Sequence, residues 1–448
     1  MPSTLIDSTI LGNLVGTEAM RALFSDDNRT QRYLDVESAL ARVQGRLGVI
    51  PQAAAAEIER NCRVDRIDMA KLRAQTERAG SPIVGVVQQL GALCAEPHGR
   101  YCHWGATTQD ITDTVTVLQM RDALALIDVE LAAVADALAG LALRYRDTPM
   151  AGRSHLQQAA PISFGYKAAC LLSAIERHRA RLAELKSRVL VGEFGGAVGT
   201  LASLGPNGLE VRAALMRELG LAEPDISWHT QRDRIAEVGC FLGLVTGTLA
   251  KLAIDVKLMM QTEVGEVAEP FTPGRGASST MPQKRNPVSS VYVHACAAVV
   301  RQHAALLLEA MAADHERATG PWHIEWIVLP EAFVLTAGAF AHARTIVDGL
   351  QVDAARMRDN LDLTHGLIVA EAVMMGLAPH TGRTEAHDLV YDACRLAIES
   401  DRPLCDVLLE TPAVAGPFGE AKLRALTDPA NYLGAAQAMV DRVLDGRK

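Results

Sequence analysis

Residues 276–287, Gly-Ala-Ser-Ser-Thr-Met-Pro-Gln-Lys-Arg-Asn-Pro, place hydroxyls, two cations and an amide on one short segment. Such polar groups do not pack as core, and Pro282 and Pro287 disfavour a regular helix through them. The segment therefore predicts a loop that presents cations and hydroxyls to an anion. Gly274 and Gly276 would let this loop move as a lid.

Residues 103–114, His-Trp-Gly-Ala-Thr-Thr-Gln-Asp-Ile-Thr-Asp-Thr, form a second polar island directly before a predicted long helix. Hydroxyl and N–H groups at the start of a helix can bind an anion. Thr107, Thr108 or Asp110 could equally cap the helix. His103 is compatible with a structural or a functional role.

Residues 152–161, Gly-Arg-Ser-His-Leu-Gln-Gln-Ala-Ala-Pro, form a third polar island before the next predicted long helix. Arg153, Ser154 and Gln157 surround His155, and such a cluster is costly to bury without a purpose. An imidazole is also well suited to moving a proton near neutrality. The island therefore predicts acid–base chemistry.

Three carboxylates, Glu263, Glu266 and Glu269, precede the loop 276–287 at the spacing of one helix face. Like charges at this spacing repel each other. We therefore expect at least one of them to pair with a base such as Lys284.

Two further polar runs, 228–234 and 315–326, lie at ends of predicted long helices. Each could be a charged, capped helix end. Each could also supply donors to a substrate, and the residues alone leave both interpretations open.

Long helices must position these islands. Apolar residues recur at helical spacing, with few breaks, through five segments of about 30 residues, each ~45 Å long. These segments are 113–146, 162–191, 230–268, 288–318 and 323–349. Helices of this length predict a bundle, and only the glycine-rich stretch 192–204 suggests a strand. The predicted fold class is all-α, with a helical domain at 1–112, a long-helix bundle at 113–358 and a small helical domain at 359–448.

Composition narrows the function classes. A net charge of −9 over 448 residues argues against a general nucleic-acid binder, so local cations must hold an anionic substrate. The eight scattered cysteines predict reduced thiols in a cytoplasmic protein. The N-terminal run MPSTLIDSTI does not resemble a secretory signal, and apolar runs such as 240–250 are predicted to be too interrupted to span a membrane. No metal-spaced cluster is visible.

Together the three islands resemble, in order and spacing, the signature regions of the fumarase/aspartase superfamily, and the likeness covers nearly the whole chain. The resemblance implies an all-helical, three-domain fold in a homotetramer, with active sites that collect the three regions from different subunits. It implies an enzyme that makes or breaks a C–O or C–N bond beta to a carboxylate through an aci-carboxylate intermediate. The substrate would be a di- or tricarboxylate, without metal or organic cofactor.

Residue by residue, the resemblance implies that Ser278 is the general base and that His155 is the general acid or positions it. Lys284 would stabilise the serine alkoxide and, with Asn286, bind a substrate carboxylate. The other implied substrate contacts are His103, Thr107, Thr108, Gln109, Ser154, Gln231, Arg232, Ser279, Met281 and Arg317.

Two branches of the superfamily resemble this chain. The runs 228–234, 315–326 and 352–358 resemble the bacterial 3-carboxy-cis,cis-muconate cycloisomerases, which close a lactone, and this is the favoured interpretation. His155 and Gln283 instead resemble adenylosuccinate and argininosuccinate lyases, which release fumarate from a substituted aspartate. A third hypothesis is an inactive structural scaffold, although a scaffold would not need the serine, lysine and histidine of the islands.

Overall fold

The computed structural model describes residues 4–447, and its regular structure is almost entirely α-helical. This confirms the all-α prediction. Residues 1–3 and Lys448 lie outside the described residues, and the start of the N-terminal run discussed above lies there too. Six α-helices precede the island 103–114 among the described residues: α1 (Gly12–Val15), α2 (Glu18–Leu23), α3 (Asp26–Arg46), α4 (Gln52–Asn61), α5 (Met69–Ala79) and α6 (Pro82–Leu93).

Five long helices follow, as their apolar periodicity predicts. They are accompanied by one shorter helix, and the six are α7 (Thr108–Arg144), α8 (Phe164–Val189), α9 (Gly208–Leu219), α10 (Asp233–Met259), α11 (Val288–Glu309) and α12 (Pro321–Gly349). The longest, α7, has 37 residues. Its apolar positions Val117, Leu118, Leu124, Ile127 and Leu131 are all buried, which is what the helical spacing of these residues requires.

Shorter helices complete the chain: α13 (Ala354–Asp362), α14 (Ala370–Thr381), α15 (Arg383–Ser400), α16 (Leu404–Leu409), α17 (Pro412–Leu426) and α18 (Ala436–Asp445). Helices α14 to α17 share a core of buried aliphatic side chains that includes Leu377, Val390, Leu404 and Leu423.

The chain forms two compact units. Unit 1 comprises residues 1–131, 178–249 and 292–341, and unit 2 comprises residues 132–177, 250–291 and 342–448. All five long helices contribute residues to both units. The three domains expected from the sequence stay a prediction.

Four short strands occur within residues 4–447, in places that the sequence did not indicate. Strands β1 (Pro149–Ser154) and β2 (Gln157–Ser163) form an antiparallel hairpin, so the island 152–161 is a hairpin rather than the start of a helix. Strands β3 (Val267–Ala268) and β4 (Gln351–Val352) also pair antiparallel.

Two sequence-based expectations about these elements were wrong. The stretch 192–204 is not a strand but a turn-rich segment, of which only 192–196 is buried as a run. Close-packed glycines replace the alternating side chains of a strand, and a Cβ on Gly192 would collide with Met216. Helix α10 ends at Met259, so Glu263, Glu266 and Glu269 do not share a helix face.

Three of the described helices, α10, α11 and α12, are long and apolar enough to cross a membrane by length and composition alone. This corrects the expectation that the apolar runs are too interrupted. The most apolar windows of α10 and α12 are 61% and 67% buried within the chain, whereas that of α11 is only 33% buried. Helix α11 therefore carries apolar surface that the single chain leaves uncovered.

Candidate active site

Asp110, in the first turn of α7, is the centre of the polar network in unit 1. It is 1% exposed and accepts four hydrogen bonds. Its Oδ1 accepts from the Gly195 N–H at 2.8 Å and from His229 Nε2 at 2.7 Å. Its Oδ2 accepts from the N–H groups of Thr107 and Gly196, both at 2.9 Å. One buried carboxylate thus fixes the helix start that carries the predicted anion-binding hydroxyls.

A second buried carboxylate, Glu193, lies beside the same histidine. Its Oε2 accepts the Trp228 N–H, whereas its Oε1 is 3.6 Å from His229 Nε2 and has no hydrogen-bond partner among the described residues. Burial raises the pKa of Glu193 to about 7, although the nearby imidazole and the Trp228 N–H oppose the shift.

Asp110, Glu193 and His229 offer ligand atoms that all lie within 4.8 Å of one another, which is close enough to hold a metal ion. The sequence showed no metal-spaced cluster because these residues are far apart along the chain. Both oxygens of Asp110 already accept backbone N–H groups and the imidazole. The contacts of Asp110 therefore favour a hydrogen-bonded network over a metal site, and this network fixes the three segments that carry the residues.

Arg232 is almost fully buried and contacts two carboxylates. It donates to Asp113 at 2.7 and 3.1 Å and to Glu325 at 2.8 and 2.5 Å. The indole N–H of Trp322 donates to Asp113 at 2.8 Å. These contacts correct the expectation that Arg232 touches substrate, because its donors are already taken by protein carboxylates. The residue instead positions α7 against α12.

Gln109 has a similar place. It is 3% exposed, and its Nε2 donates to Asp113 Oδ2 at 3.0 Å and to the carbonyl of His229 at 2.8 Å. Gln109 thus supports the network. The predicted contact of Gln109 with substrate stays a prediction.

Five predicted contacts in unit 1 stay at least partly accessible, namely His103, Thr107, Thr108, Gln231 and Arg317. His103 Nδ1 lies 2.6 Å from Glu37 Oε1. Burial lowers the pKa of His103, but the Glu37 carboxylate more than reverses this, so the net pKa is raised. Arg317 donates to the Gly196 carbonyl at 2.7 Å, and Asp110 binds the N–H of the same glycine. Unit 1 therefore places cationic and hydroxyl donors around the buried hydrogen-bond network of Asp110.

In unit 2, His155 lies at the exposed tip of the β1–β2 hairpin. His155 and Leu156 both have positive φ, 51° and 63°, as a two-residue hairpin turn with right-handed strand twist requires. Ser154 is exposed beside them. The hairpin thus presents a polar group and an apolar one, since Leu156 is 76% exposed.

Arg153 joins this hairpin to the segment before the loop 276–287. Its guanidinium binds the fully buried Glu266 through two hydrogen bonds of 2.8 and 2.6 Å, and Asn360 Nδ2 donates to the same carboxylate at 2.9 Å. Glu269 accepts the N–H groups of Ser289 and Ser290 at the start of α11. The expected pairing of one carboxylate with a base is found, but the base is Arg153.

Lys284 is not that partner. Its side chain is exposed and makes no ion pair within residues 4–447. The predicted pairing of Lys284 with this carboxylate group was therefore wrong, and its ammonium group is left accessible on the loop.

The loop 276–287 closes on itself. The carbonyl of Gly276 accepts a hydrogen bond from the backbone N–H of Asn286 at 3.0 Å and another from its Nδ2 at 2.9 Å. Ala277 and Arg285 form an isolated antiparallel β-bridge. The amide of Asn286, predicted to bind a carboxylate, is here used to close the loop. Ser279, Met281 and Lys284 are exposed on it.

Ser278 has a distinctive environment in this loop. Its Oγ accepts the backbone N–H groups of Met281 at 3.0 Å and of Thr280 at 3.3 Å. Two N–H donors aimed at one hydroxyl oxygen stabilise negative charge on it. An alkoxide on Ser278, which is the form of serine that acts as a base, would be stabilised by these two donors.

Comparisons with known proteins find matches over nearly the whole chain. A sequence model of a family described as Lyase matches residues 14–301, and one described as Adenylosuccinate lyase C-terminus matches residues 366–443. Trans-aconitate decarboxylase 1 of Mycosarcoma maydis is 54% identical over 99% of this chain and 90% of its own length. The 3-carboxy-cis,cis-muconate cycloisomerase of Pseudomonas aeruginosa is 50% identical over 95% and 93% of the two chains. The crystal structure of the 3-carboxy-cis,cis-muconate lactonizing enzyme from Pseudomonas putida has a TM-score of 0.92 and 46% identity, covering 96% of this chain and 97% of that one.

Proposed function

We propose, because this chain belongs to the fumarase/aspartase superfamily, that it is a 3-carboxy-cis,cis-muconate cycloisomerase. Two proteins with this activity in their names share 50% and 46% of their residues with it over almost their full lengths. The observation that carries the chemistry is the pair of N–H groups directed at Ser278 Oγ.

In the lactonising direction, a carboxylate oxygen of the substrate adds to a carbon–carbon double bond. The electron pair moves onto the carbon beside another carboxylate, giving an aci-carboxylate, and a proton added to that carbon completes the lactone. Ser278 would exchange this proton, as a hydroxyl in one direction and as an alkoxide in the other. The same proton transfer would begin an elimination.

The intermediate carries two negative charges on one carboxylate group, so it needs donors that are in place before the reaction. Lys284 on the loop and the hydroxyls of Thr107 and Thr108 at the start of α7 are suited to this. Arg317 adds positive charge in unit 1, and the Glu37 carboxylate raises the pKa of His103. Asp110 and Arg232 fix the start of α7, which carries Thr107 and Thr108.

A second candidate reaction is decarboxylation of trans-aconitate, since a relative named for it is 54% identical over 99% of this chain. Both candidate substrates are unsaturated tricarboxylates. Loss of carbon dioxide would likewise leave an electron pair that neighbouring cations must stabilise. Both candidate reactions therefore imply an unsaturated tricarboxylate as substrate, and both would use the same charge-binding groups.

The active enzyme would be a cytoplasmic homotetramer in aromatic catabolism, with sites shared between subunits. Apolar side chains along α11 support an assembly, because Val291, Val299 and Leu306 are 49%, 44% and 43% exposed in the single chain. Association would bury them. The exposed hairpin tip and the exposed loop 276–287 would then meet groups of a neighbouring subunit.

The test is turnover of three substrates by the purified protein. Loss of the ultraviolet absorbance of 3-carboxy-cis,cis-muconate is expected to be fastest. Carbon dioxide release from trans-aconitate as the main reaction would select the second candidate. Fumarate release from adenylosuccinate or argininosuccinate, without turnover of either tricarboxylate, would refute both in favour of a C–N lyase.

His155 supplies a second discriminator. Because His155 resembles a residue of the lyases that release fumarate, His155→Ala should weaken a cycloisomerase only slightly. A large loss of turnover on the tricarboxylate would show that His155 acts as the acid.

A further inference from the structure

A cavity of about 620 Å³ lies within unit 1. Its walls are formed by Phe24 and by residues of α3, α5, α6, α7 and α12. This volume is typical of sites that enclose a small organic molecule. Among the described residues that line it, none is a predicted substrate contact, so the cavity is separate from the groups proposed to bind the tricarboxylate.

The wall of the cavity is rich in aromatic rings. Four of them, Phe24, Tyr33, Trp322 and Trp326, line it together with Leu72 and Leu329. Aromatic side chains bind planar rings through stacked and edge-to-face contacts. The phenol of Tyr33 stays neutral, because burial raises its pKa to about 12. The apolar part of a ligand here would be a flat aromatic ring.

Two donors in this wall lack acceptors. The buried Nε1 of Trp326 has no hydrogen-bond partner among the described residues, and a buried indole N–H without an acceptor is unfavourable. Arg29 is half-buried and has no ion-pair partner within residues 4–447. A carboxylate could accept from both groups.

The same wall disfavours a ligand with several negative charges. Asp26 and Glu77 also line the cavity at exposed positions, and so does Arg73; none of the three has an ion-pair partner within the described chain. The exposed Arg73 offsets only one of the two acids. A second or third carboxylate would meet these two acids. The cavity is therefore matched to a single carboxylate, unlike the tricarboxylate proposed for the active site.

We propose that this cavity is a second ligand site for an aromatic monocarboxylate, which regulates the enzyme through Trp322 and Glu325. Both residues line the cavity, and both belong to the buried network: Trp322 donates to Asp113, and Glu325 binds Arg232. A ligand packed against Trp322 would hold these contacts in place. The start of α7 would then be better ordered for the substrate, and KM would fall.

The test is calorimetric titration of the purified protein with 2-naphthoate. Saturable binding is expected, and saturating trans-aconitate should not displace it. Cyclohexanecarboxylate, which has the same charge without an aromatic ring, should bind roughly tenfold more weakly. Arg29→Gln should weaken 2-naphthoate binding roughly tenfold or more, whereas Arg78→Gln, an exposed arginine of α5 outside the cavity, should leave it unchanged.

Trp326→Phe provides an independent variant, because it removes the N–H donor and keeps an aromatic ring in the wall. Its melting temperature and affinity are measured together, and weaker binding by a folded variant is the expected result. Three outcomes would overturn the proposal: no saturable binding to the wild-type protein, displacement by trans-aconitate, or equal losses in Arg29→Gln and Arg78→Gln. A KM unchanged by bound 2-naphthoate would overturn its regulatory part.

Discussion

Ser278 is the single residue on which the proposed chemistry depends most. We expect Ser278→Ala to lower kcat by roughly 10²- to 10⁴-fold, because it removes the group that exchanges the carbon-bound proton. The circular dichroism spectrum should not change, since the side chain lies on a loop. Thr280→Ala is the matched control: its side chain is exposed, and its backbone N–H still donates to Ser278. Wild-type turnover by Ser278→Ala on the tricarboxylate would exclude the serine as the base.

Glu193 should make stability depend on pH. Its pKa is raised from 4.5 to about 7 by burial, so the folded chain holds a proton there that the unfolded chain has lost. The stability from this group is complete below about pH 4.5 and disappears as the pH rises through 7, a change of about 3 kcal/mol.

The corresponding variant is Glu193→Gln, which stays neutral at every pH. Between pH 5 and 8, its free energy of unfolding in urea should fall by about 3 kcal/mol less than that of the wild type. Parallel pH dependences in the two proteins would mean that Glu193 does not carry the proton.

The sequence identified chemically active residues but not their partners. Asp110 and His229 both lie in polar runs that the sequence analysis singled out, yet they are 119 positions apart and only folding brings them together. Arg232 was expected to contact substrate because a buried arginine and a substrate-facing arginine look alike in sequence. The sequence did not identify Glu193 as a functional residue, since it is an isolated acid among glycines.

At the scale of elements, helices were predictable where burial follows a regular spacing. The five long helices were found for this reason. Their ends were less predictable, because distant partners set them: α10 stops before Glu266, whose carboxylate is held by Arg153 of the hairpin. The hairpin itself was missed, since Gly152 and Pro161 interrupt its alternation and its register is supported from afar by Gln158, which donates to the Asn360 carbonyl.

The loop 276–287 gives a prediction at this scale. Gly276 has a φ of 68°, and a Cβ there would lie 2.6 Å from the Asn286 carbonyl oxygen. Gly276→Ala should therefore force open the closure between Gly276 and Asn286, lowering kcat at least tenfold with little change in melting temperature.

Gly274→Ala is the matched control. Its φ is also positive, 81°, but nothing lies within 4 Å of the added Cβ. Steady-state kinetics of both variants test whether loop closure sets kcat. Equal losses of kcat would mean that backbone strain alone, rather than loop closure, explains the effect.

At the scale of the whole molecule, uncovered apolar surface has to be explained. Helix α11 is apolar enough to cross a membrane. One of its sides is buried, and the other carries the exposed apolar residues Val291, Val299 and Leu306. Assembly of identical chains covers such a surface, and a tetramer would have about four times the 48.0 kDa mass of the chain. No pattern within one chain determines which copy supplies which island, so the sharing of sites could be inferred only from family resemblance.

Coexpression of two variants that are each expected to be inactive tests the proposed sharing of active sites most directly. Ser278→Ala alters the loop in unit 2, and Thr107→Val alters the helix start in unit 1. If each site takes its loop and its helix start from different subunits, mixed tetramers should regain roughly a quarter of the wild-type activity on 3-carboxy-cis,cis-muconate. Mixed tetramers as inactive as either variant alone would contradict sites that are built from more than one subunit.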